Sequence, residues 1–427
     1  MMEARKSYRR LLLWVFGVSL IFCAFFCYYY VQNIIPDRIN VVVQEDEEFN
    51  FSLPMAATLT SDSQEVSLSK KSNIPSDAID LVLDEPFQIR GSSTGRYELS
   101  CKLFGLIPMK SIEVSVVNPQ YVYPMGDAVG IYLETQGILI VGTGTVTDEH
   151  GVERNPAYDI VQSGDYIMAV NGNAITGKEE LVDLVAENGA APVSLTIRRD
   201  QKEEDVMIQP VQSGENEFKL GIWIRDDTQG IGTLTYLTTD GKYGALGHGI
   251  SDTDTGFLIE SDKGSLYHAN IHSILKGSDS KPGSVCGSIN YDSSYRIGSI
   301  SKNCSAGIYG TYDTSEGIPG GVQAVPIGYM QEVETGEAFI RSSISGESKE
   351  YRIEILRMDK NNSSNKGLVL RVTDPELLAL TGGIVQGMSG SPILQNGKMI
   401  GAVTHVFLQD PTEGYGIFIE KMLEVSP

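Results

Sequence analysis

Cysteine is scarce in this chain: five residues in 427, of which Cys23 and Cys27 fall inside one apolar stretch. That leaves Cys101, Cys286 and Cys304, an odd number that implies no disulfide framework. No pair has the CxxC spacing of a zinc site, and the five histidines are scattered apart from His268 and His272, so neither a metal nor another cofactor is expected. Those two, four apart, could share a helix face but read as a polar surface pair. Basic residues are also in deficit, 33 Lys and Arg against 55 Asp and Glu for a net charge of -22, which argues against a nucleic-acid partner. The hydrophobic fraction of 41% and aromatic fraction of 8% are ordinary for a globular protein of two or three domains.

One long hydrophobic run is present. Arg5, Lys6, Arg9 and Arg10 precede an uncharged segment from Leu11 to Tyr30, about the 20 residues a helix needs to cross a bilayer. It lacks the small-x-small cleavage site of a secretory signal, so a retained anchor over 11–31 is expected. The basic tail, 1–10, stays on the cytoplasmic side and the rest is translocated. Ile39 to Val43 could form a strand. Thr58 to Asp77 is polar, Ser-rich and aperiodic, so 32–77 reads as a membrane-proximal segment ending in an exposed linker, where self-cleavage is expected. Alternating segments within 78–117 suggest a small β unit with a turn from Gly91 to Gly95.

SGDYIMAVNGNAI, Ser163 to Ile175, carries the GD-x-I-x-x-V-N-G core of a PDZ domain, and a helix-like stretch from Lys178 to Glu187 follows it. A PDZ groove needs a loop of free amides beside a strand edge and a helix. Within a PDZ domain set at 118–212, that loop is expected at Val129, Gly130, Ile131 and Tyr132. Leu181 and Val185 should face core or groove. From 213 to 427, short glycine-rich strands indicate an antiparallel barrel or sandwich.

GIVQGMSGSP, Gly383 to Pro392, sets Ser389 on a small-residue turn, where a nucleophile needs to be. Gly387, Ser389, Gly390 and Pro392 fit the G-x-S-G-x-P pattern of chymotrypsin-like peptidases, in which the amides of Gly387 and Ser389 would form the oxyanion hole. Asn396-Gly397 predicts a two-residue hairpin after it. By the same likeness Thr404, His405 and Val406 would line the substrate cleft. The base is expected to be His248 in ALGHGIS, with His405 as rival. Asp374 opens DPELLAL and reads equally as a helix N-cap or as the orienting acid, with Asp252 or Asp254 next in line. Met388 stands where GDSGGP enzymes carry an aspartate, so activation by an ion pair to a new N-terminus is excluded.

Taken with LGIWIRDDTQGIGTLTY, ALGHGISD, VTDPELL, TGGIVQGMSGSP and GAVTHV, the anchor and the PDZ core resemble the SpoIVB family of sporulation serine peptidases over essentially the whole chain. The resemblance implies a mainly β chain: transmembrane helix, small β unit, α+β PDZ domain and chymotrypsin-like β-barrel peptidase domain. It implies a triad of His248, Asp374 and Ser389. It further implies an anchored, self-cleaving serine endopeptidase in the space between the two membranes around the forespore, cutting a membrane-bound regulator so that sigma-factor processing proceeds. The partners implied are that protein substrate and a second copy of the chain, engaged in trans through the PDZ domain. A catalytically idle PDZ scaffold and an HtrA-like quality-control protease are the alternatives.

Overall fold

The computed structural model describes residues 2–49, 55–60, 66–68, 78–83, 87–91, 93–103, 106–278, 281–315, 317–362 and 364–426. It divides into two units: residues 1–120 with 329–333 and 359–363, and the remainder.

The first unit opens with the helix Met2–Ile34, whose span Tyr8–Asn33 is apolar enough to cross a membrane, with a mean hydropathy of 2.4; Val31, near its end, is buried in the core of the unit. A five-stranded sheet follows, in the order Arg38–Val42, Ile107–Val117, Gly95–Leu103, Met55–Thr60, Ala78–Val82. A three-stranded sheet orders Asp46–Phe49, Phe87–Gly91 and Val66–Leu68. Alternation explains the core: Tyr97, Leu99 and Cys101 turn inward from one strand, Ile112, Val114 and Val116 from its neighbour, and Phe49 and Ile89 join them from the smaller sheet. The β unit therefore begins at Arg38 rather than at residue 78. Two strands, Met55–Thr60 and Val66–Leu68, run into the expected linker, whose other residues, 61–65 and 69–77, lie outside the described set.

In the second unit, the peptidase sheet and the PDZ module share two long strands, Ala128–Thr143 and Ile222–Thr238. Their antiparallel ladder runs from Ala128 opposite Thr233 to Glu134 opposite Asp227, breaks, and resumes from Leu139 opposite Arg225 to Thr143 opposite Ile222. Such a break bends the ribbon and changes which face each side chain takes. The near end joins the strands Tyr121–Pro124, Lys242–Ala245, Lys263–Leu275, Arg296–Cys304 and Gly307–Tyr312; the far end joins Tyr166–Val170, Val193–Arg199 and Lys202–Ile208. The PDZ module is thus inserted within the peptidase sheet, which starts at Tyr121 and not after residue 212. His268 and His272 lie on the strand Lys263–Leu275, not on a helix.

A closed barrel completes the unit, formed in order by Gly336–Ser342, Lys349–Met358, Leu368–Val372, Glu413–Phe418, Lys398–Val406 and Pro392–Gln395. Asn396 and Gly397, at φ 53° and 76°, make the two-residue turn between its last two strands, the backbone that Asn-Gly favours. The fold is mainly β, with an N-terminal apolar helix, a PDZ domain and a β-barrel.

Candidate active site and peptide groove

Between the sheet and the barrel lies a cleft of about 420 Å³ whose walls include His248, Gly387, Ser389, Thr404, His405 and Val406. Residues far apart in sequence are brought together there. The serine loop enters after the helix Pro375–Thr381 and leaves into the strand Pro392–Gln395. Of its two serines only Ser389 reaches the cleft; Ser391 is fully buried and its hydroxyl meets no partner among the described residues.

The amides of this loop alternate. Those of Gln386, Met388, Gly390 and Ser391 donate to the carbonyls of Gly283, Val385, Val403 and Met388, at 2.8, 3.1, 2.7 and 2.9 Å. The amides of Gly387 and Ser389 meet no protein acceptor among the described residues. A trans peptide sets N–H opposite the preceding C=O, so fixing that carbonyl aims the amide. The carbonyl of Gln386 accepts from Val285 N–H and that of Met388 from Ser391 N–H, each at 2.9 Å. Gly387 sits at φ 106°, a conformation closed to L side chains, which is why glycine is required there. The two unspent amides have the character of an oxyanion hole: donors fixed in advance, costing no reorganisation.

His248 follows an abrupt turn. The strand Lys242–Ala245 ends, and Leu246 and Gly247 take φ 70° and 68° in succession. For a leucine this is strained by about 1–3 kcal/mol, tolerated where packing overdetermines it. Leu246 is buried in the sheet core, and a Cβ on Gly232 would lie 2.1 Å from its Cδ2, so that glycine makes its room. The His248 Nδ1 lies 2.9 Å from the Gly249 carbonyl. Donation from Nδ1 leaves Nε2 as the basic nitrogen. Burial lowers the His248 pKa below the usual imidazole value, opposed by that carbonyl. His405 lies with its ring centroid 5.0 Å away at a 38° tilt; burial, His248 and Lys366 bring its pKa down to about 4.

No hydrogen bond joins Ser389 to His248 among the described residues. The Ser389 hydroxyl donates to the Thr404 carbonyl at 2.7 Å. Catalytic contacts are commonly loose until substrate binds. Asp374 is not brought to the imidazole either. Its carboxylate caps the helix Pro375–Thr381, accepting from the amides of Glu376 and Leu377 at 2.9 and 3.1 Å and from Arg352 N–H at 3.3 Å. Asp252 pairs with Arg225 and accepts from the amides of Asp254 and Thr255, while Asp254 lies 2.7 Å from Arg225. Neither bonds His248 among the described residues.

The PDZ loop expected at Val129 to Tyr132 requires correction. These four residues lie inside the strand Ala128–Thr143, between Gly232 to Gln229 on one side and His268 to Ser265 on the other. A strand flanked on both edges has its amides committed to ladders, and Gly130 packs beneath Ile289, whose Cγ2 would stand 2.5 Å from a Cβ. The groove is elsewhere. A cavity of about 700 Å³ runs between the helix Lys178–Asn188 and the start of the strand Ile222–Thr238, lined by Leu181, Val182, Val185, Leu220, Ile222 and Ile224 among others. At its end the amides of Leu220 and Gly221 meet no acceptor among the described residues. The signal was present in Lys219-Leu220-Gly221-Ile222, an apolar-Gly-apolar loop leading into a strand. The PDZ core motif itself is structural: buried Asp165 receives the Arg199 guanidinium at 2.8 and 2.6 Å and the Gln162 amide at 2.9 Å.

Residues 216–423 match the family model for SpoIVB peptidase S55, and residues 141–213 match that for the Tricorn protease PDZ domain. Among solved structures, the PDZ domain of the SdrC-like protein from Listeria monocytogenes aligns at 22% identity over 21% of this chain and 87% of that one, with a TM-score of 0.17. No curated protein matches the chain. The S55 match indicates a serine peptidase. With the two family matches in this order, the chain is a SpoIVB-family protein, a PDZ domain coupled to an S55 peptidase domain.

Proposed function

We propose that the protein is a membrane-anchored serine endopeptidase of regulated proteolytic signalling in spore formation, which cleaves itself and a membrane-bound regulator to let sigma-factor processing proceed. Ser389 is the nucleophile and His248 the base. The amides of Gly387 and Ser389 receive the oxyanion, and Thr404, His405 and Val406 wall the cleft that holds the substrate chain. The observation that carries this reading is the opening of Ser389 and His248 into one cleft beside two unspent amides.

When an acyl group enters, rotation of the Ser389 side chain away from the Thr404 carbonyl brings its hydroxyl toward His248 Nε2. The imidazole takes the proton as Oγ attacks, and the oxyanion settles on the two amides. The groove between Lys178–Asn188 and Ile222–Ile224 takes an extended peptide end, its carboxylate at the Leu220 and Gly221 amides. The apolar helix Tyr8–Asn33 supports membrane anchoring, with the remainder on the outer side in the intermembrane space of the forespore.

Labelling of the full-length chain in detergent by a fluorophosphonate tests the reading. Wild type should react, while Ser389→Ala should not and His248→Ala should react about 10⁴-fold more slowly, since nucleophile and base act as a unit. An unreactive wild type would overturn it.

A further inference from the structure

We infer that Thr233 is a positioning residue of the peptidase, holding the oxyanion loop and the histidine turn in register with one another; this rests on the serine peptidase reading above. Thr233 lies in the strand Ile222–Thr238 and is 2% exposed. Each of its three hydrogen-bonding groups reaches the site. Its hydroxyl donates to the Gly387 carbonyl at 2.7 Å. Its amide donates to the Ser389 carbonyl at 3.2 Å, and its carbonyl accepts from Leu246 N–H, also at 3.2 Å. Two of these anchor the serine loop, and the third anchors the strained residue two positions before His248.

The hydroxyl bond is the informative one. The peptide plane between Gly387 and Met388 separates the two hole amides, so its orientation sets the angle between them. One edge of that plane is held by Met388 N–H on the Val385 carbonyl at 3.1 Å, and the other by Thr233 Oγ1 on the Gly387 carbonyl. Gly387 has no side chain to resist rotation. Without the hydroxyl, a glycine at φ 106° is free to turn its carbonyl, and the pair of donors loses its fixed geometry. The approach is close on every side. A Cβ on Gly390 would stand 2.4 Å from the Thr233 carbonyl oxygen and 2.6 Å from Leu246 N, and the space among Thr233, Val285, Gly387 and Met388 is only about 10 Å³. A space of that size holds one water at most.

The test compares Thr233→Val, which keeps the shape and removes the donor, with Thr233→Ser, which keeps the donor. Fluorophosphonate labelling rates and p-nitrophenyl acetate hydrolysis are measured on the full-length chain in detergent. Thr233→Val should lose about 10- to 100-fold in labelling rate and in kcat with KM little changed, as expected for misplacement of donors used only in the transition state. Thr233→Ser should stay within about threefold of wild type. The pH midpoint of labelling, set by His248, should not move in either. Should Thr233→Val not fold, Thr233→Cys, of serine's size with a far weaker donor, takes its place. A Val or Cys variant that labels at the wild-type rate, or a Ser variant as slow as Val, overturns the assignment while Ser389→Ala alone remains silent. A wild type as silent as Ser389→Ala overturns the peptidase reading and this inference with it.

Discussion

The Nδ1 of His248 is bonded to the carbonyl of its own neighbour, Gly249, at 2.9 Å, the place an orienting carboxylate would take in a serine peptidase triad. A backbone carbonyl can fix the tautomer, as a carboxylate does, but it offers less stabilisation to the imidazolium formed during attack.

This makes Asp374 a sharp test. As a helix cap its Oδ1 accepts from two amides of the first turn, and asparagine caps about as well. Under that arrangement Asp374→Asn should retain near-normal turnover, and Asp374→Ala should cost about 1 kcal/mol of stability with turnover largely kept. Under the family's triad, Asp374→Asn should lose ~10³- to 10⁴-fold with the fold intact. Labelling rates and melting temperatures of both variants decide between them; the geometry favours the first outcome.

Acid should silence the enzyme later than an ordinary histidine would imply. Burial lowers the His248 pKa from 6.5, so the base remains neutral and competent below that pH, and the labelling rate should fall with a midpoint under 6.5. A midpoint above 6.5 would contradict the environment described for it.

Stability should respond through His405. Its pKa falls from 6.5 in the unfolded chain to about 4 in the folded one, so the folded state binds fewer protons between those values. Stability from keeping it neutral is complete above 6.5 and is lost as pH falls toward about 4. His405→Gln removes this dependence. Its melting temperature should therefore gain on that of wild type as the pH is lowered through the window.

The PDZ groove can be tested without touching the cleft. Val182 lines it and is 59% exposed, so Val182→Glu should fold normally. An unpaired carboxylate there should weaken an apolar peptide with a free C-terminus by about tenfold or more, with amidated peptide binding poorly to wild type. Trp223, 66% exposed on the same groove, reports binding by fluorescence. Fluorophosphonate labelling of Ser389 should be unchanged. Equal affinity in wild type and Val182→Glu would move the peptide site elsewhere.

Much of this protein was decided by local chemistry and was legible as such. The apolar run dictates a helix, Asn396-Gly397 dictates its turn, Leu181 and Val185 turn inward as their spacing requires, and Asp374 before proline makes a cap. The small-residue loop places Ser389, and Gly247 of GHG admits the turn before His248. What pairs with what was not legible. VGIYLETQGILIV contains an apolar-glycine-apolar segment as good as KLGI, and only the ladders show that Gly130 is covered on both edges while Gly221 stands at the groove end. The bend after Glu134 that lets one ribbon serve two modules includes Gly137, at φ 91°, but a lone glycine does not say which strand the mismatch is with or how many residues it spans. Thr233 was likewise silent, one threonine in an alternating strand. Its three bonds to Gly387, Ser389 and Leu246 exist only once the sheet has carried it against the barrel, since hydrogen bonds depend on position and direction in space and not on sequence distance.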